Sequence, residues 1–558
     1  MPEEEIKLER IRNEFSNCKV KPFCAVRDPT ECSLPMNDGF SLRTILYRPD
    51  IEGSVPTIIV RTCYPKNDPI YRATAVEYAR RGFAFVYQYC RGTGGSEGIW
   101  EPNVNERADG KQMVDWLCAQ GWVKNAGYFG CSYLAMTGWS ISDILPEKVK
   151  TMYLTHYGTH RQVSAYKDGL FRHDILTGWT MENAGFPIMA EYLKSCLYRP
   201  HICVDEDLWG KKIDWYRDYI TKTDAGDPFW HQDVWGMLEE VPTRLNVPVF
   251  VGEGWYDHHL GSAIETWLSI PEKTKEHSVF QVGAWDHDFN IRLEGKEYSS
   301  VENNDICRAF EWFHQILMGG KIPEGKVKMY LIGADTWFER KSLRTVSPPV
   351  KRFYLGEKVA EDHYALHENT GQKTGSFHFP YDPEKPVISH GAESLFYTKT
   401  GIGSLLQPAP GARSDVVSCI SEPLDSDMDI LGQIKLHIEV STDADDTAFV
   451  FKLMEMTPDG KSYNIRTGIT TLGYRNGSKT RMSYTPMDIV KIMIDSWDVA
   501  YRVKKGSRIR VDITSSDFPQ YSVHSNYAGC WSVQKKSRIA NQTVYFGEGH
   551  SSWIEIPV

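Results

Sequence analysis

Three residues able to carry out covalent hydrolysis follow one another along this chain: Ser132, Asp257 and His287. Ser132 lies in Gly130-Cys131-Ser132-Tyr133-Leu134, between Gly127–Gly130, which reads as a strand, and Ser132–Ile144, which reads as a helix. A serine on so tight a strand-to-helix turn lifts its hydroxyl above the sheet edge. The backbone N–H of the next residue, Tyr133, then points into the same space as an oxyanion donor. Gly130 relieves crowding on the turn, whereas Leu134 stands where a second glycine is usual. A bare Gly-x-Ser triplet is also what an ordinary helix N-cap serine looks like, so the later residues decide. Asp257 ends Gly254-Trp255-Tyr256-Asp257 after a strand at Val247–Val251, and His287 ends Ala284-Trp285-Asp286-His287 after a strand at Ser278–Val282. Catalytic groups in open α/β sheets gather at the carboxyl ends of strands. The chemistry expected is acyl transfer: Ser132 attacks, His287 moves the proton, and Asp257 orients the imidazole.

The elements that must position these residues are legible as alternation. Phe40–Tyr47, Val55–Val60, Ala84–Tyr87, Gly127–Gly130 and Val149–Leu154 read as strands, with an amphipathic helix over Asn105–Gln120. Alternating strand and helix signals predict a right-handed parallel βαβ sheet, and the order Ser…Asp…His is that of an α/β-hydrolase. From about 160 to 245 the text turns Trp-, Tyr- and Lys-rich and helical, as in Ile188–Leu197 and Leu208–Ile220, before the strands resume. That interruption predicts a helical cap inserted into the sheet domain, which a helix over Asp305–Met318 then closes. After about 345, short alternating runs separated by turn residues, such as Ile434–Val440, Ala448–Leu453 and Arg508–Ile513, predict an all-β sandwich or jelly-roll. The expected plan is an arm at 1–35, an α/β-hydrolase domain at 36–159 and 246–345 carrying the cap at 160–245, and a β-domain at 346–558.

Composition narrows the function class. The chain has 558 residues, 41% hydrophobic and 24% charged, which is ordinary globular usage. A net charge of −10 gives no reason to expect a nucleic-acid partner, and no apolar run approaches a membrane span. The start, Met-Pro-Glu-Glu-Glu-Ile-Lys, lacks an apolar export core, and the 12 cysteines include no C-x-x-C pair. A cytoplasmic protein with free thiols is the expectation.

Further motifs extend the pattern. Arg61-Thr-Cys-Tyr64-Pro-Lys66, Arg91-Gly-Thr-Gly-Gly-Ser-Glu-Gly98, Gly130-Cys-Ser-Tyr133, Asp227-Pro-Phe-Trp230, Gly254-Trp-Tyr-Asp257, Trp285-Asp-His287 and Arg508–Pro519 together resemble the bacterial cocaine esterase / X-Pro dipeptidyl-peptidase family of serine hydrolases. The likeness covers the chain from about residue 36. It implies an α/β-hydrolase domain, an inserted helical cap and a C-terminal jelly-roll. It also implies that the Tyr64 hydroxyl is an oxyanion donor beside the Tyr133 N–H. The chain departs from the family pattern at Tyr89, where Asp is frequent, and at Ala135, where Gly is frequent. The related α-amino-acid ester hydrolases place carboxylates two and three positions after the triad Asp to hold an ammonium group. Here His259 and Leu260 occupy those places, which argues against recognition of a free α-amine. The long N-terminal helical domain of the bacterial X-Pro dipeptidyl-peptidases has no counterpart in this sequence, which lowers the exopeptidase reading.

The resulting expectation is a serine hydrolase of small-molecule esters or amides, without cofactor or metal, whose oligomeric state the sequence leaves open. His258, His259 and Trp179 are candidates for the substrate wall. Two rivals remain: an X-Pro-type peptidase or acylase acting on amides, and a binding protein on a hydrolase scaffold. Of the remaining constellations, His156 and His160 follow a strand with no carboxylate nearby in sequence to complete a metal set. Gly92–Gly98 lacks the Lys-Ser/Thr of a phosphate loop.

Overall fold

The inner strands of the first sheet are buried along most or all of their length, and its two edge strands are partly or fully exposed along nearly all of theirs. The computed structural model describes residues 3–186, 188–370, 373–394 and 401–558. Helix α1 (Glu3–Ser16) precedes β1 (Thr30–Pro35), β2 (Ser41–Tyr47) and β3 (Val55–Thr62), every residue of which is buried. Then come α2 (Asp68–Ala79), β4 (Ala84–Tyr89), α3 (Glu106–Ala119), β5 (Val123–Cys131), α4 (Tyr133–Trp139) and β6 (Val149–Thr155).

The inserted segment follows. It holds α5 (Arg161–Ala165), the hairpin of β7 (Tyr166–Lys167) and β8 (Leu170–Phe171), α6 (His173–Asn183) and α7 (Ile188–Leu197). It ends with α8 (Val204–Asp207), α9 (Asp214–Thr221) and α10 (Asp233–Glu240). The sheet resumes with β9 (Val249–Gly254), α11 (Leu260–Ser269), α12 (Glu272–Lys275), β10 (Val279–Gly283), α13 (Asp305–Phe313), β11 (Lys326–Leu331) and β12 (Thr336–Arg340).

The strand order is β1-β2-β4-β3-β5-β6-β9-β10-β11-β12, parallel from β4 to β11 and antiparallel at both edges. Continuous apolar runs fit this placement, because a parallel strand is covered on both faces. Ser132, His156, Asp257 and His287 all come just after the carboxyl ends of strands, in the crevice above the sheet.

Three expectations need correction. The segment 1–35 is more than an arm. In α1, Ile11 and Phe15 are four residues apart on one helical face and are buried, with Phe15 edge-on to Tyr78 and Phe310 at centroid distances of 6.0 and 5.8 Å. The helix expected over Ser132–Ile144 stops at Trp139 and continues as turns, with Ile141 donating to Gly138. The helix expected over Leu208–Ile220 begins only at Asp214, because Asp205 captures the Ile213 N–H and the Arg217 guanidinium and turns the chain there.

The C-terminal part is all β, an eleven-stranded sheet. Trp553–Pro557 pairs with both Val350–Lys358 and Met428–Thr442, so the sheet closes on itself as a barrel. The 15-residue strand Met428–Thr442 makes this possible, since an irregularity at Gln433/Lys435 bends it across several partners. A closed barrel is therefore the description at this level, in place of the narrower jelly-roll expected. No described helix is long and apolar enough to cross a membrane.

Because α1 is held by a few aromatic contacts, Phe15→Ala should lower the unfolding free energy by about 3–5 kcal/mol. Urea denaturation followed by tryptophan fluorescence measures it, and an unchanged midpoint would mean that α1 is not part of the folded core.

Candidate active site

Ser132 occupies a backbone conformation that only a constrained turn sustains, with φ 58° and ψ −127°. Its N–H donates to Thr155 O at 2.9 Å, tying the end of β5 to the end of β6. Gly130 is required here: a Cβ would lie 2.2 Å from Leu134 O. At +2, where a second glycine was absent from the sequence, Leu134 is accommodated with 9% exposure. Tyr133 is the first residue of α4, so its N–H has no partner one turn back in the helix.

His287 Nε2 is 2.9 Å from Ser132 Oγ, and His287 Nδ1 is 2.7 Å from Asp257 Oδ2. The structure thus brings together three residues separated by 125 and 30 positions in sequence. Gly254 makes the approach possible, because a Cβ there would sit 2.2 Å from Trp285 O. Asp257 is fully buried. Its Oδ1 accepts the His259 N–H at 2.6 Å, and its Oδ2 also meets His156 Nδ1. Burial works against its charge, yet His287, His258 and His156 around it keep its pKa well below the usual carboxylate range. Burial likewise disfavours the imidazolium of His287, but the Asp257 charge, helped by Asp288 and Asp286, raises His287 above its ordinary value.

The expected oxyanion residues lie side by side. The Tyr64 and Tyr133 rings meet edge-on at 6.2 Å. Burial raises both phenols well above their usual pKa, so both keep their protons at neutral pH. Tyr64 Oη accepts the Trp179 Nε1–H at 3.1 Å, and Trp179 stacks on Tyr133 at 6.1 Å. The Tyr133 hydroxyl donates to Glu106 Oε1 at 2.9 Å, and Glu106 Oε2 accepts from the fully buried Arg61 at 2.7 Å. The buried pair Arg61–Glu106 therefore sets the Tyr133 ring, and with it the start of α4.

His258 and His259 are buried beside Asp257, with 1% and 4% exposure. Their pKa values fall well below the histidine norm, mainly through burial. His258 lies 4.5 Å from the His287 ring, and His259 Nδ1 is 3.2 Å from Ser164 Oγ. The loop is clamped by Arg172, which donates to His258 O at 3.0 Å, to Asp174 at 3.0 Å and to Glu393 O at 3.1 Å. One guanidinium thus joins the inserted helices, the Asp257 loop and the C-terminal part.

Two buried groups here escaped the sequence reading. His156 was set aside for want of a carboxylate nearby in sequence, but Asp257, 101 positions away, is hydrogen-bonded to it. The available signal was its place directly after a parallel strand. Glu253 accepts the Gly254 N–H through Oε2 at 3.0 Å, while its Oε1 has no partner. Burial, with the neighbouring Asp257 charge, raises its pKa well above the ordinary value. Among the described residues, His156, Asp257 and His287 also come close enough together for a metal ion, as do Cys18, Cys307 and Glu311. In the first set both Nδ1 atoms are engaged with the Asp257 carboxylate.

Comparison with known proteins places this geometry in context. Residues 38–288 match the model of the X-Pro dipeptidyl-peptidase (S15) family, and residues 321–555 match the X-Pro dipeptidyl-peptidase C-terminal non-catalytic domain. The cocaine esterase of Rhodococcus sp. (strain MB1 Bresler) is 27% identical over 94% of this chain and 97% of its own. An α-amino acid ester hydrolase superposes with a TM-score of 0.80 at 20% identity, covering 97% of this chain and 99% of its own. An aminopeptidase from a marine-sediment Thaumarchaeota archaeon also superposes at 0.80 and 20% identity, covering 96% and 97%.

The raised pKa of Glu253 makes a stability prediction. An unfolded glutamate ionises near pH 4.5, whereas the folded one holds its proton well above that. Folding stability therefore carries a penalty that is absent below the unfolded pKa and grows as pH rises toward the folded one. Glu253→Gln keeps an acceptor for the Gly254 N–H without an ionisable proton. It should raise Tm relative to wild type at pH 8, with the difference shrinking toward pH 4.5. A difference independent of pH would mean that Glu253 is ionised in the folded protein.

Proposed function

The chain belongs to the X-Pro dipeptidyl-peptidase (S15) family and is a serine hydrolase, and from that premise we propose that it cleaves small carboxylic esters or amides through Ser132, His287 and Asp257. The observation that carries the reading is the continuous hydrogen-bond path from Ser132 Oγ through His287 to Asp257. Ser132 Oγ attacks the acyl carbon while its proton passes to His287 Nε2. The resulting imidazolium faces Asp257, whose charge already favours the protonated ring. Negative charge on the former carbonyl oxygen is held by the Tyr64 O–H and the Tyr133 N–H. The Tyr64 oxygen accepts the Trp179 indole N–H, so the hydroxyl keeps a proton that can turn from the Cys63 sulfur to the oxyanion. His287 then protonates the leaving alcohol or amine. A water deprotonated by the same nitrogen releases the acid from the acyl-enzyme and regenerates Ser132.

On this reading Trp179 forms one wall of the acyl site, and His258 and His259 form its floor beside Asp257. Positions 259 and 260 are His and Leu, so this floor presents imidazoles and no carboxylate to pair with a free α-ammonium. That favours substrates without one, and it favours an esterase or acylase over a dipeptidyl-peptidase. The chemistry needs only a soluble small-molecule substrate, and a cytoplasmic setting suits the twelve free thiols.

A fluorophosphonate should add one label to the intact protein and none to Ser132→Ala, read by intact mass. An unlabelled but folded wild type would favour a binding protein on a hydrolase scaffold. Tyr64→Phe should lower kcat on 4-nitrophenyl esters by roughly 10²–10³-fold, about 2.7–4 kcal/mol, with little change in KM. Loss confined to KM would assign Tyr64 to substrate binding instead. Running matched 4-nitroanilides alongside separates esterase from amidase.

A further inference from the structure

We propose that His156 is a positioning residue of the hydrolytic site, a second imidazole that donates to Asp257 and divides the carboxylate between itself and His287. This rests on the reading of Ser132, His287 and Asp257 given above. His156 is 0% exposed, directly follows β6, and hydrogen-bonds Asp257 Oδ2 through Nδ1, on the same oxygen that holds His287. Its Nε2 is buried without a partner. An orphaned lone pair costs less than an orphaned N–H, so the ring hydrogen belongs on Nδ1, pointing at the carboxylate. The ring is edge-on to His287 at 5.4 Å and to Phe289 at 4.2 Å, so it is packed between the two. The backbone supports the placement at a cost. His156 sits at φ 54°, a left-handed conformation unusual outside glycine and asparagine, with its N–H on Gly252 O at 2.9 Å.

Two consequences follow for the reaction. Asp257 is held from three directions, by two imidazoles and the His259 N–H, so it cannot swing when His287 becomes charged. Each added donor also withdraws part of the negative charge that stabilises the His287 imidazolium, which keeps His287 a usable base at lower pH. The other groups facing His287 are His258 and His259 from the Asp257 loop and Asp286 and Asp288 from its own loop. Arg10 of α1 is bound to the Asp288 carbonyl at 3.2 Å. His156→Gly and His156→Asn leave all of these in place.

The left-handed backbone selects the variants. Glycine tolerates it and removes the donor; asparagine tolerates it and places an amide N–H close to where Nδ1–H was. The second-order rate of fluorophosphonate labelling, followed from pH 5 to 9, reports the free base form of His287. In His156→Gly the acid limb should move to higher pH by about half a unit or more, and His156→Asn should restore it toward wild type. A uniformly slower rate with an unmoved limb, or an asparagine variant no better than glycine, would overturn the proposal in favour of simple packing. If the glycine variant does not fold, proton NMR of the wild type carries the test. Two strongly downfield Nδ1 protons are expected, one of which disappears in His156→Asn, and a single such proton would overturn the assignment. A folded wild type that takes no label at all fails at Ser132 instead, and removes the premise rather than the His156 geometry.

Discussion

The buried carboxylate of Asp257 is the group around which the rest of this molecule is arranged. A charge taken out of water must be met by donors in fixed places, because an unpaired one costs several kcal/mol. Those donors come from β6, from the loop after β9 and from the loop after β10. Meeting them requires three neighbouring parallel strands to end at the same height, and backbones to pass where a Cβ would collide, as at Gly254 against Trp285. The strand order of the sheet is thus part of the electrostatics of the site.

The second arrangement is on the other side of Ser132 and is also set by a buried charge. Arg61, at the end of β3, is neutralised by Glu106 at the start of α3, and Glu106 accepts the Tyr133 hydroxyl. The residue whose N–H would hold the oxyanion is therefore anchored through its own side chain to a pair whose arginine lies on β3, three strands away from β9 and Asp257. Tyr64, three residues beyond Arg61, is fixed in turn by the Trp179 indole of the inserted helices. The inserted helices thereby help to fix the orientation of the Tyr64 hydroxyl.

Much of this was legible in sequence for a physical reason. Strands such as Val55–Thr62 are buried on both faces and announce themselves as apolar runs, and the residues after them are chemistry-bearing by position. Ser132, Asp257 and His287 needed only that position and their order. What escaped depends on contacts between distant segments. His156 has a carboxylate partner 101 residues away, and Glu253, just past the strand read at Val247–Val251, carries no signal until its burial is known. The helix α1 was hidden because its mean hydropathy is low and, among its described residues, only two apolar side chains, Ile11 and Phe15, are buried. The C-terminal strands were visible as alternation, but closure of the sheet depends on which partners Trp553–Pro557 chooses, and alternation carries no information about pairing.

The N-terminal helix belongs to this same logic. Arg10 donates to the Asp288 carbonyl and lies 5.0 Å from the centre of the Phe289 ring, while Phe289 packs against His156. Glu14, paired with Arg10, accepts the Cys307 N–H on α13, whose Asp305 accepts the Tyr153 hydroxyl from within β6. The His287 loop is therefore pressed between α1 outside and His156 inside, and His156 is pressed between Phe289 and Asp257. If His287 is the general base proposed above, its imidazole must gain and lose charge without moving, and its loop has little secondary structure of its own to resist motion. Packing it from both sides supplies that rigidity, since a close-packed aromatic layer transmits displacement instead of absorbing it. Helix α1, which in sequence looks like part of a lead-in to the first domain, thus packs against the outer side of the loop that holds His287 between Ser132 and Asp257.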